Sequence, residues 1–407
     1  MFRRLLQTTR RQSFFLFGAR GTGKTTWMRD AFDPDASLYL DLLDPEVEDL
    51  YRRTPGRLEQ QVRALPDSVE WVLIDEVQRA PRLLDAAHRL IESTGKRFVL
   101  TGSSARKLRR GASNLLAGRA FVYSLYPLTV PELEEAFDLD GALRWGTLPR
   151  IFSLDADEDR RAYLRAYALT YLREEIAAEQ IVRRLDPFRR FLEVAAQSNG
   201  AIVNYTNIAR DVGADPKTVI TYFSILEDTL VGFLLPAFHR SVRKQQRSNP
   251  KFYFFDTGVK RALDRTLDLP LNAGTYEYGK AFEHFVITQI VHLSQYRYPD
   301  WRVSYLRTGA GVEIDLVIER PGLPTALIEI KSAERVDERD VRHLTRFTGD
   351  FPEPLALCIS RDPTRMQIDG VLCVHWREAL EELGLCRGRG DSPPGDCGGP
   401  MSGYAFG

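Results

Sequence analysis

Residues 18–25 read Gly-Ala-Arg-Gly-Thr-Gly-Lys-Thr, and this stretch decides the fold of the first part of the chain. It matches the phosphate-binding pattern G-x-x-x-x-G-K-[ST] without a mismatch. The apolar residues 13–17 before it predict a buried strand, and residues 26–31 after it can continue a helix, which is the context that the pattern requires. Glycines let backbone amides turn towards an anion, and a helix start adds partial positive charge. We therefore predict that ATP binds here.

The residues expected to contact ATP lie in the loop and the first helical turn: Gly18, Ala19, Arg20, Gly21, Thr22, Gly23, Lys24, Thr25 and Thr26. In this pattern the lysine contacts the β- and γ-phosphates and the hydroxyl of Thr25 binds Mg²⁺. A later apolar strand, residues 71–74, ends in Asp75 and Glu76. We expect Asp75 to hold the Mg²⁺ shell opposite Thr25, and Glu76 to orient or deprotonate the attacking water.

Two further polar positions are candidates for contact with the γ-phosphate. Residues 97–104 predict a further strand with a polar tip, which faces this phosphate if the strand lies between the two strands described above. Ser103 is then the favoured sensor, with Thr101 and Ser104 as rivals, and capping of the next helix by Ser103 is the alternative. Arg119 is a candidate arginine finger in its own or a neighbouring subunit, with a surface salt bridge as the alternative.

Three motifs together resemble one known family. They are GARGTGKTT at 18–26, LIDEVQRAP at 73–81 and LTGSSARKLRRGASNLLAGR at 100–119. They are similar to bacterial and archaeal AAA-type ATPases that have a C-terminal domain of unknown function. The resemblance covers most of the chain and implies nucleotide binding at residues 18–25 and a water-activating role for Glu76. The cellular role of that family is poorly defined.

The middle of the chain has the pattern of a winged helix. Residues 205–213 and 217–226 predict two short helices joined by a tight turn, and residues 230–238 and 251–256 predict the two strands of a wing. Basic side chains at the second helix or between the strands are candidates for contact with DNA phosphates: Lys217, Arg240, Arg243, Lys244 and Arg247, in a run that continues to Lys251. The alternative is a module that packs against protein.

The C-terminal part has the acidic pattern of restriction-endonuclease-like nucleases. Asp315 lies on a strand with strict alternation, in which Ile314, Leu316 and Ile318 face one way. Glu329 and Lys331 share one face of the next strand, and Glu283 lies on a predicted helix.

We expect Asp315 and Glu329 to bind one Mg²⁺, Lys331 to steady a hydroxide, and Glu283 to complete the shell, for metal-assisted attack on phosphate. One alternative is a sheet whose exposed face has a Glu–Lys pair, and another is a nuclease frame without catalysis.

The predicted fold class is α/β, with several units in series. They are a P-loop parallel-sheet domain at 1–140, a helical connector at 141–190, a winged helix at 191–265, a nuclease-like α/β domain at 270–385 and a disordered tail at 386–407. Lys and Arg number 56, as do Asp and Glu, so any nucleic-acid surface is local. No apolar run is long enough to span a membrane, and four scattered cysteines suit a reducing compartment, so we expect no membrane contact and a cytoplasmic location.

These patterns predict an ATP-binding protein and ATPase, with ATP and Mg²⁺ as cofactors and DNA as the expected partner of a nuclease-like C-terminal region. One alternative is a nucleotide-dependent signalling or scaffold protein whose nuclease-like domain is inactive. Another is a structural nucleotide-binding protein with negligible turnover. A homo-oligomer is compatible with each of them.

Overall fold

The computed structural model describes residues 2–103, 120–171, 185–239, 248–309 and 311–386. Ser104, Arg119, Arg240, Arg243, Lys244 and Arg247 lie outside the described residues, as does nearly all of the predicted tail. Across the described ranges, no helix combines the length and apolarity needed to cross a bilayer.

A five-stranded parallel sheet of order β2-β3-β4-β1-β5 forms the first part of the chain. Its strands are β1 Ser13–Phe17, β2 Ser37–Asp41, β3 Trp71–Asp75, β4 Arg97–Gly102 and β5 Ala120–Ser124. Its helices are α1 Lys24–Ala31, α2 Pro45–Arg53, α3 Gly56–Arg63 and α4 Leu83–Thr94, with 3₁₀ turns at Pro34–Ala36 and Val77–Arg79. Strand β4 lies between β3 and β1, which is the position on which the expectation for Ser103 depended.

The sequence of β1 explains why it occupies the sheet interior. Phe14 and Leu16 pack in one apolar cluster, and Phe15 and Phe17 pack in another. Because successive side chains of a strand point to opposite faces, an unbroken apolar run suits a strand covered on both faces. Because all five strands are parallel, their carboxyl ends lie at the same edge of the sheet, next to the first turn of α1.

The middle of the chain is mainly helical. Its helices are α5 Val130–Leu133, α6 Leu139–Trp145, α7 Asp157–Ala166, α8 Leu185–Gln197, α9 Tyr205–Val212, α10 Pro216–Asp228 and α11 Thr257–Leu263. Further elements are 3₁₀ turns Glu134–Ala136 and Pro149–Ser153, a π-helical turn Tyr167–Tyr171, and the antiparallel strands β6 Gly232–Leu235 and β7 Lys251–Phe254. Asn204 caps α9, Gly213 ends it at φ 70°, and Asp215 caps α10. The local sequence thus specifies both helices and the tight turn between them.

Helices α6 and α11 approach each other so closely that a side chain is excluded at their contact. A Cβ atom added to Gly258 would lie 2.1 Å from the backbone oxygen of Trp145. Asp256 strengthens the same junction, since its carboxylate caps α11 and accepts a hydrogen bond from Thr147 N at 2.7 Å. The middle segment is therefore fixed to the residues that follow the first sheet.

A second, mixed sheet of order β12-β13-β11-β10-β9-β8 forms the C-terminal part. Its strands are β8 Arg302–Arg307, β9 Glu313–Glu319, β10 Ala326–Ile330, β11 Leu355–Ser360, β12 Met366–Ile368 and β13 Val371–His375. Its helices are α12 Tyr276–Arg297, α13 Glu338–Thr348 and α14 Trp376–Glu382. Leu128, Phe137 and Leu143, which follow the first sheet, pack in the same apolar core as α12 and α14. This segment therefore joins the first and last parts of the chain.

The strict alternation predicted for the strand around Asp315 is wrong at one position. Leu316 and Ile318 pack on the α12 side, whereas Ile314 packs with Val317 on the α13 side. The pairing of β8 with β9 shifts register close to this point, between Ser304 and Leu306. Such an irregularity changes which residues share a face, and the sequence pattern contains no sign of it.

Candidate functional site

The loop between β1 and α1 has the backbone shape of a phosphate cradle. Gly21 and Gly23 have φ of 79° and 94°, angles that favour glycine. Gly18 is required for a different reason, since a Cβ there would lie 2.5 Å from the oxygen of Leu125 and 2.7 Å from Thr22 Oγ1. Ala19 and Thr22 are buried, whereas the side chains of Arg20 and Thr26 face solvent.

Lys24 lies inside the loop, and its ammonium contacts backbone carbonyls at the start of the loop. Its Nζ donates to Gly18 O at 2.7 Å and to Ala19 O at 3.4 Å, and lies 3.9 Å from Glu76 Oε1. The side chain is buried. The structure thus brings the predicted lysine and the predicted base to the same point, beside the carboxyl ends of β1 and β3.

Asp75 lies at the centre of a group of hydroxyls. Thr25 Oγ1 donates to Asp75 Oδ2 at 2.6 Å and the Tyr39 hydroxyl donates to the same oxygen at 3.0 Å, while Thr101 Oγ1 donates to Oδ1. Asp75 is completely buried. Motif analysis identified Thr25 and Asp75, and it named Thr101 only as a rival sensor. It missed Tyr39, whose position depends on the pairing of β2 with β3.

Glu76 is held in an unusual backbone conformation. Its φ of 57° and ψ of 48° lie in the left-handed region, which costs a residue other than glycine about 1–3 kcal/mol. Its amide donates to Thr101 Oγ1 at 3.0 Å. Gln78 Nε2 donates both to the Glu76 carboxylate and, at 3.3 Å, to Ser103 Oγ. Gln78 therefore connects Ser103 with the predicted base. Sequence analysis identified Ser103 and Glu76 but missed Gln78.

A second acidic group lies in the C-terminal part, at the junction of α12, β9 and β10. Glu283 accepts from Lys280 Nζ at 2.9 Å, and Lys331 Nζ donates to Glu329 Oε1 at 2.7 Å. Asp315 Oδ2 accepts from the amide of Ile330 at 2.8 Å. Burial raises the pKa of Asp315 well above its usual range, and the nearby carboxylates of Glu329 and Glu283 raise it further. The structure thus places the four predicted residues in one neighbourhood.

Lys251 belongs to this second group, although the sequence suggested a basic loop. It begins β7 and is buried, with Nζ 2.5 Å from Glu313 Oε1 and 3.9 Å from Glu283 Oε1. The neighbouring Tyr253 donates its hydroxyl to Glu283 Oε1 at 2.9 Å. The expectation that Lys251 extends a phosphate-binding run is therefore wrong, because its ammonium is enclosed by carboxylates.

The second group has some of the properties of a magnesium site. Burial raises the pKa of Glu329 while Lys331 lowers it, and Glu329 Oε2 is buried without a hydrogen-bond partner in the described structure. Mg²⁺ is commonly bound through one or two carboxylates and retained waters. Within the described residues, however, no set of three or more Asp, Glu, His or Cys side chains has the spacing of a metal site. Asp315 and Glu329 supply two carboxylates to this group, and their role as ligands of the ion stays a prediction.

Helix α10 is the second helix of the predicted winged helix and contains Lys217, one of the predicted DNA contacts. Lys217 is exposed at its first turn. Thr218 Oγ1 donates to Asp215 Oδ2 at 2.6 Å, and Thr221 Oγ1 donates to Lys217 O at 3.0 Å, so both hydroxyls already have local partners. The other predicted DNA contacts lie outside the described residues.

These features agree with comparisons against known families. Residues 10–134 match the AAA domain, residues 136–272 match a domain of unknown function (DUF8612), and residues 278–377 match a domain of unknown function (DUF4143). The chain thus has an AAA domain of the P-loop type followed by a C-terminal domain of unknown function, which confirms the predicted resemblance.

Similar proteins extend over most of the chain. An uncharacterised protein of Mycobacterium tuberculosis is 29% identical over 76% of this chain and 68% of its own length. One from Methanocaldococcus jannaschii is 21% identical over 84% of this chain and 80% of its own length. The solved structure of the Aeropyrum pernix ORC1 protein in complex with DNA is 14% identical, with a TM-score of 0.31, over 62% of this chain and 86% of that one. Both of these sequence relatives are uncharacterised, so the similarity to them assigns no function to this chain.

Proposed function

We propose that the chain binds ATP with Mg²⁺ at the carboxyl edge of the first sheet and hydrolyses it there. The observation that supports this most strongly is the 2.6 Å hydrogen bond from Thr25 Oγ1 to Asp75 Oδ2. A motif hydroxyl and a strand-end carboxylate meet there, and they are the two protein ligands expected for the ion. When bound, Mg²⁺ neutralises charge that develops on the phosphates.

The chain's own residues have distinct roles in this proposal. Lys24 exchanges its loop carbonyls for phosphate oxygens, since an ammonium binds anionic oxygens more strongly than neutral carbonyls. Glu76 accepts the proton of the attacking water. The hydrogen bond from its own amide to Thr101 Oγ1 and the bond that its carboxylate accepts from Gln78 hold it in place. Ser103 acts as the polar sensor that contacts the γ-phosphate. Arg119 acts as an arginine finger that contacts the γ-phosphate in the same or a neighbouring subunit.

Two substitutions test the proposal. Lys24→Ala is expected to weaken ATP binding at least about ten-fold, because a charge-assisted hydrogen bond is lost. Glu76→Gln is expected to bind ATP normally and release phosphate about 100-fold more slowly, the usual contribution of a general base. Glu46→Gln, exposed in the first turn of α2, is the matched control. Tight ATP binding by Lys24→Ala, or full turnover by Glu76→Gln, would refute the assigned roles.

A second proposed function is metal-dependent cleavage of DNA by the C-terminal domain. The proposed location of the protein is the reducing cytoplasm. The cleavage proposal is supported by the grouping of Asp315, Glu329 and Lys331 with Glu283. It is also supported by Glu329 Oε2, which is buried and has no hydrogen-bond partner among the described residues. Asp315 and Glu329 would hold the ion, which supplies an activated water, and Lys331 would steady the developing hydroxide. The helix–turn–helix, through Lys217 and the basic residues 240–247, would bind DNA phosphates.

The nuclease proposal is tested by metal binding and by cleavage, measured separately. Asp315→Asn should abolish Mn²⁺ binding seen by calorimetry and stop cleavage of duplex DNA. Lys331→Gln should retain the ion and lose cleavage. Glu319→Gln, at the end of the same strand as Asp315, is the control. Cleavage that survives Asp315→Asn would exclude this residue, and Mn²⁺ binding without cleavage in the unmodified chain would favour the alternative of an inactive, ligand-binding domain.

A further inference from the structure

Arg4 is an unusual arginine that the sequence motifs do not explain. It lies before β1, and only 7% of its side-chain surface is exposed. Its guanidinium donates to Thr22 O at 2.7 Å, Tyr126 O at 2.6 Å, Glu132 Oε1 at 2.9 Å and Tyr296 OH at 3.3 Å. These acceptors belong to the phosphate-binding loop, the segment after β5, helix α5 and helix α12.

On the loop side, Arg4 fixes the orientation of one peptide. The C=O and N–H groups of a trans peptide point in opposite directions. With Thr22 O held by Arg4 on the outside of the loop, the amide of Gly23 points to the other side, where a phosphate would lie. Tyr167 fixes the Arg20–Gly21 peptide, two residues earlier, in the same way, since its hydroxyl donates to Arg20 O at 2.7 Å. The carbonyls of Arg20 and Thr22 thus have their own donors, which directs the amides of Gly21 and Gly23 to the opposite side, towards an anion.

On the other side, the same guanidinium is connected to α12. The Tyr296 hydroxyl accepts from Arg4 and also from the amide of Tyr126 at 3.0 Å. A parallel connection runs from the amide of Val130, in α5, to Gln289 Oε1 at 2.9 Å. Helix α12 also includes Glu283 of the second acidic group. A short hydrogen-bonded path therefore links the loop with the helix of the C-terminal domain.

Arginine suits this position for a geometric reason. A guanidinium presents five donors in a rigid plane, so it can serve several acceptors in fixed directions, whereas the lysine ammonium is a point charge. Glu132 balances the charge, and its own oxygens also accept from the amides of Leu5 and Thr129. The charges and hydrogen-bonding groups of this network are therefore paired with one another. Such a network can move as a unit when one of its ends is displaced.

We propose that Arg4 is a positioning residue that couples the phosphate-binding loop to helix α12. It sets the Thr22–Gly23 peptide for phosphate binding, and ordering of the loop by nucleotide is transmitted through Arg4 and Tyr296 to α12. This inference rests on the proposed ATP site, and it adds communication between that site and the C-terminal domain.

The experiment uses the full chain and a non-hydrolysable ATP analogue with Mg²⁺. Affinity is measured by titration, and amide hydrogen exchange is followed around Tyr126 and Tyr296. In the unmodified chain, nucleotide should slow exchange there by roughly five-fold or more, the lower range of allosteric coupling. Arg4→Lys, which keeps the charge opposite Glu132, should raise the dissociation constant about ten-fold and abolish the protection of α12 at saturation. Arg3→Lys, exposed and adjacent, should behave like the unmodified chain.

Tyr296→Phe separates coupling from loop positioning and guards against a poorly folding Arg4 variant. It leaves the Arg4–Thr22 contact in place, so affinity should stay within about two-fold while at least half of the α12 protection is lost. Unchanged protection in both variants, or no protection in a chain that does bind the analogue, would overturn the coupling alone. If the unmodified chain binds no ATP analogue, the proposed function fails first and the coupling fails with it.

Discussion

Asp75 is buried, yet every hydrogen-bond partner it has in the described structure is neutral. Its oxygens accept from the hydroxyls of Thr25, Tyr39 and Thr101 and, within the described residues, it forms no ion pair. A buried carboxylate is costly unless a cation compensates it. The charge of Arg29 interacts with this carboxylate, and the three hydroxyls fix the carboxylate's orientation at the point where the motif places Mg²⁺.

Thr101 is the residue of this group that supports both acids. It donates to Asp75 and accepts from the amide of Glu76, so Thr101→Val leaves two buried polar groups unpaired. We expect a loss of about 1–3 kcal/mol in the free energy of unfolding. We also expect ATP hydrolysis to fall roughly ten-fold or more, because the base is no longer held in place. Urea unfolding and phosphate release measure the two effects.

Thr101→Ser keeps the hydroxyl and is the matched control for this change. It should retain most of the activity. Tyr39→Phe should have a smaller effect than Thr101→Val, because Tyr39 supports Asp75 alone whereas Thr101 also accepts from the Glu76 amide. Wild-type stability and turnover in Thr101→Val would mean that the hydroxyl does not support Asp75 and Glu76.

At the scale of elements, the sequence predicted those features that depend on local pattern. The loop glycines, the apolar run of β1, and the two short helices α9 and α10 with their tight turn are determined by residues close together in the chain. Tyr39 was missed because it reaches Asp75 only through the pairing of β2 with β3. Gln78 was missed although it lies two residues from Glu76, because its second contact, with Ser103, depends on the packing of β3 beside β4. Lys251 was misassigned for a related reason, since its ammonium lies over the Tyr305 ring of β8 and beside the carboxylates of Glu313 and Glu283, all far away in the chain.

Lys251 should therefore contribute to the attachment of β7 to the C-terminal sheet. Lys251→Met leaves Glu313 and Glu283 without their shared ammonium, and Glu313 is about one-third exposed. Loss of one partner of a buried pair costs about 3–5 kcal/mol, and partial exposure reduces this, so we expect about 2 kcal/mol in unfolding free energy. Chemical denaturation measures the change.

The comparison for Lys251 is Lys280, which pairs with the same Glu283 from a more exposed position. Lys280→Met should cost less than about 1 kcal/mol, as is typical of exposed pairs. The double variant Lys251→Met/Glu313→Gln should recover part of the loss, because an uncompensated charge is removed. Equal effects of Lys251→Met and Lys280→Met would show that burial of the Lys251 ammonium contributes nothing.

At the scale of the whole molecule, α12 is the element that the other parts share. Its residues pack against the segment after β5, its Tyr296 bonds to Arg4, and its buried His284 lies against β7 through a contact of Nε2 with Phe254 O at 2.6 Å. The sequence predicted a helix here and an α/β domain around it. It did not indicate the contacts with the first 150 residues, because these join positions far apart in the chain.

Two histidines of α12 should make the stability of the molecule depend on pH. Burial lowers the pKa of His284 to about 4 and that of His292 to about 3. The ordinary value of about 6.5 applies to the unfolded chain. Protons therefore bind the unfolded chain first, so the stabilisation is complete above about pH 6.5 and is lost as the pH falls towards 4.

His292→Phe isolates one of these contributions, since a phenyl ring can keep the stacking on Tyr126, whose ring centroid lies 4.3 Å away. Each buried histidine lowers the unfolding free energy by up to about 1.4 kcal/mol per pH unit below 6.5. We expect the slope between pH 6 and 4.5, measured by urea unfolding, to be less steep by about this amount in His292→Phe. An identical slope in His292→Phe would mean that His292 is already protonated in the folded chain, and that the environment of α12 is more polar than its packing indicates.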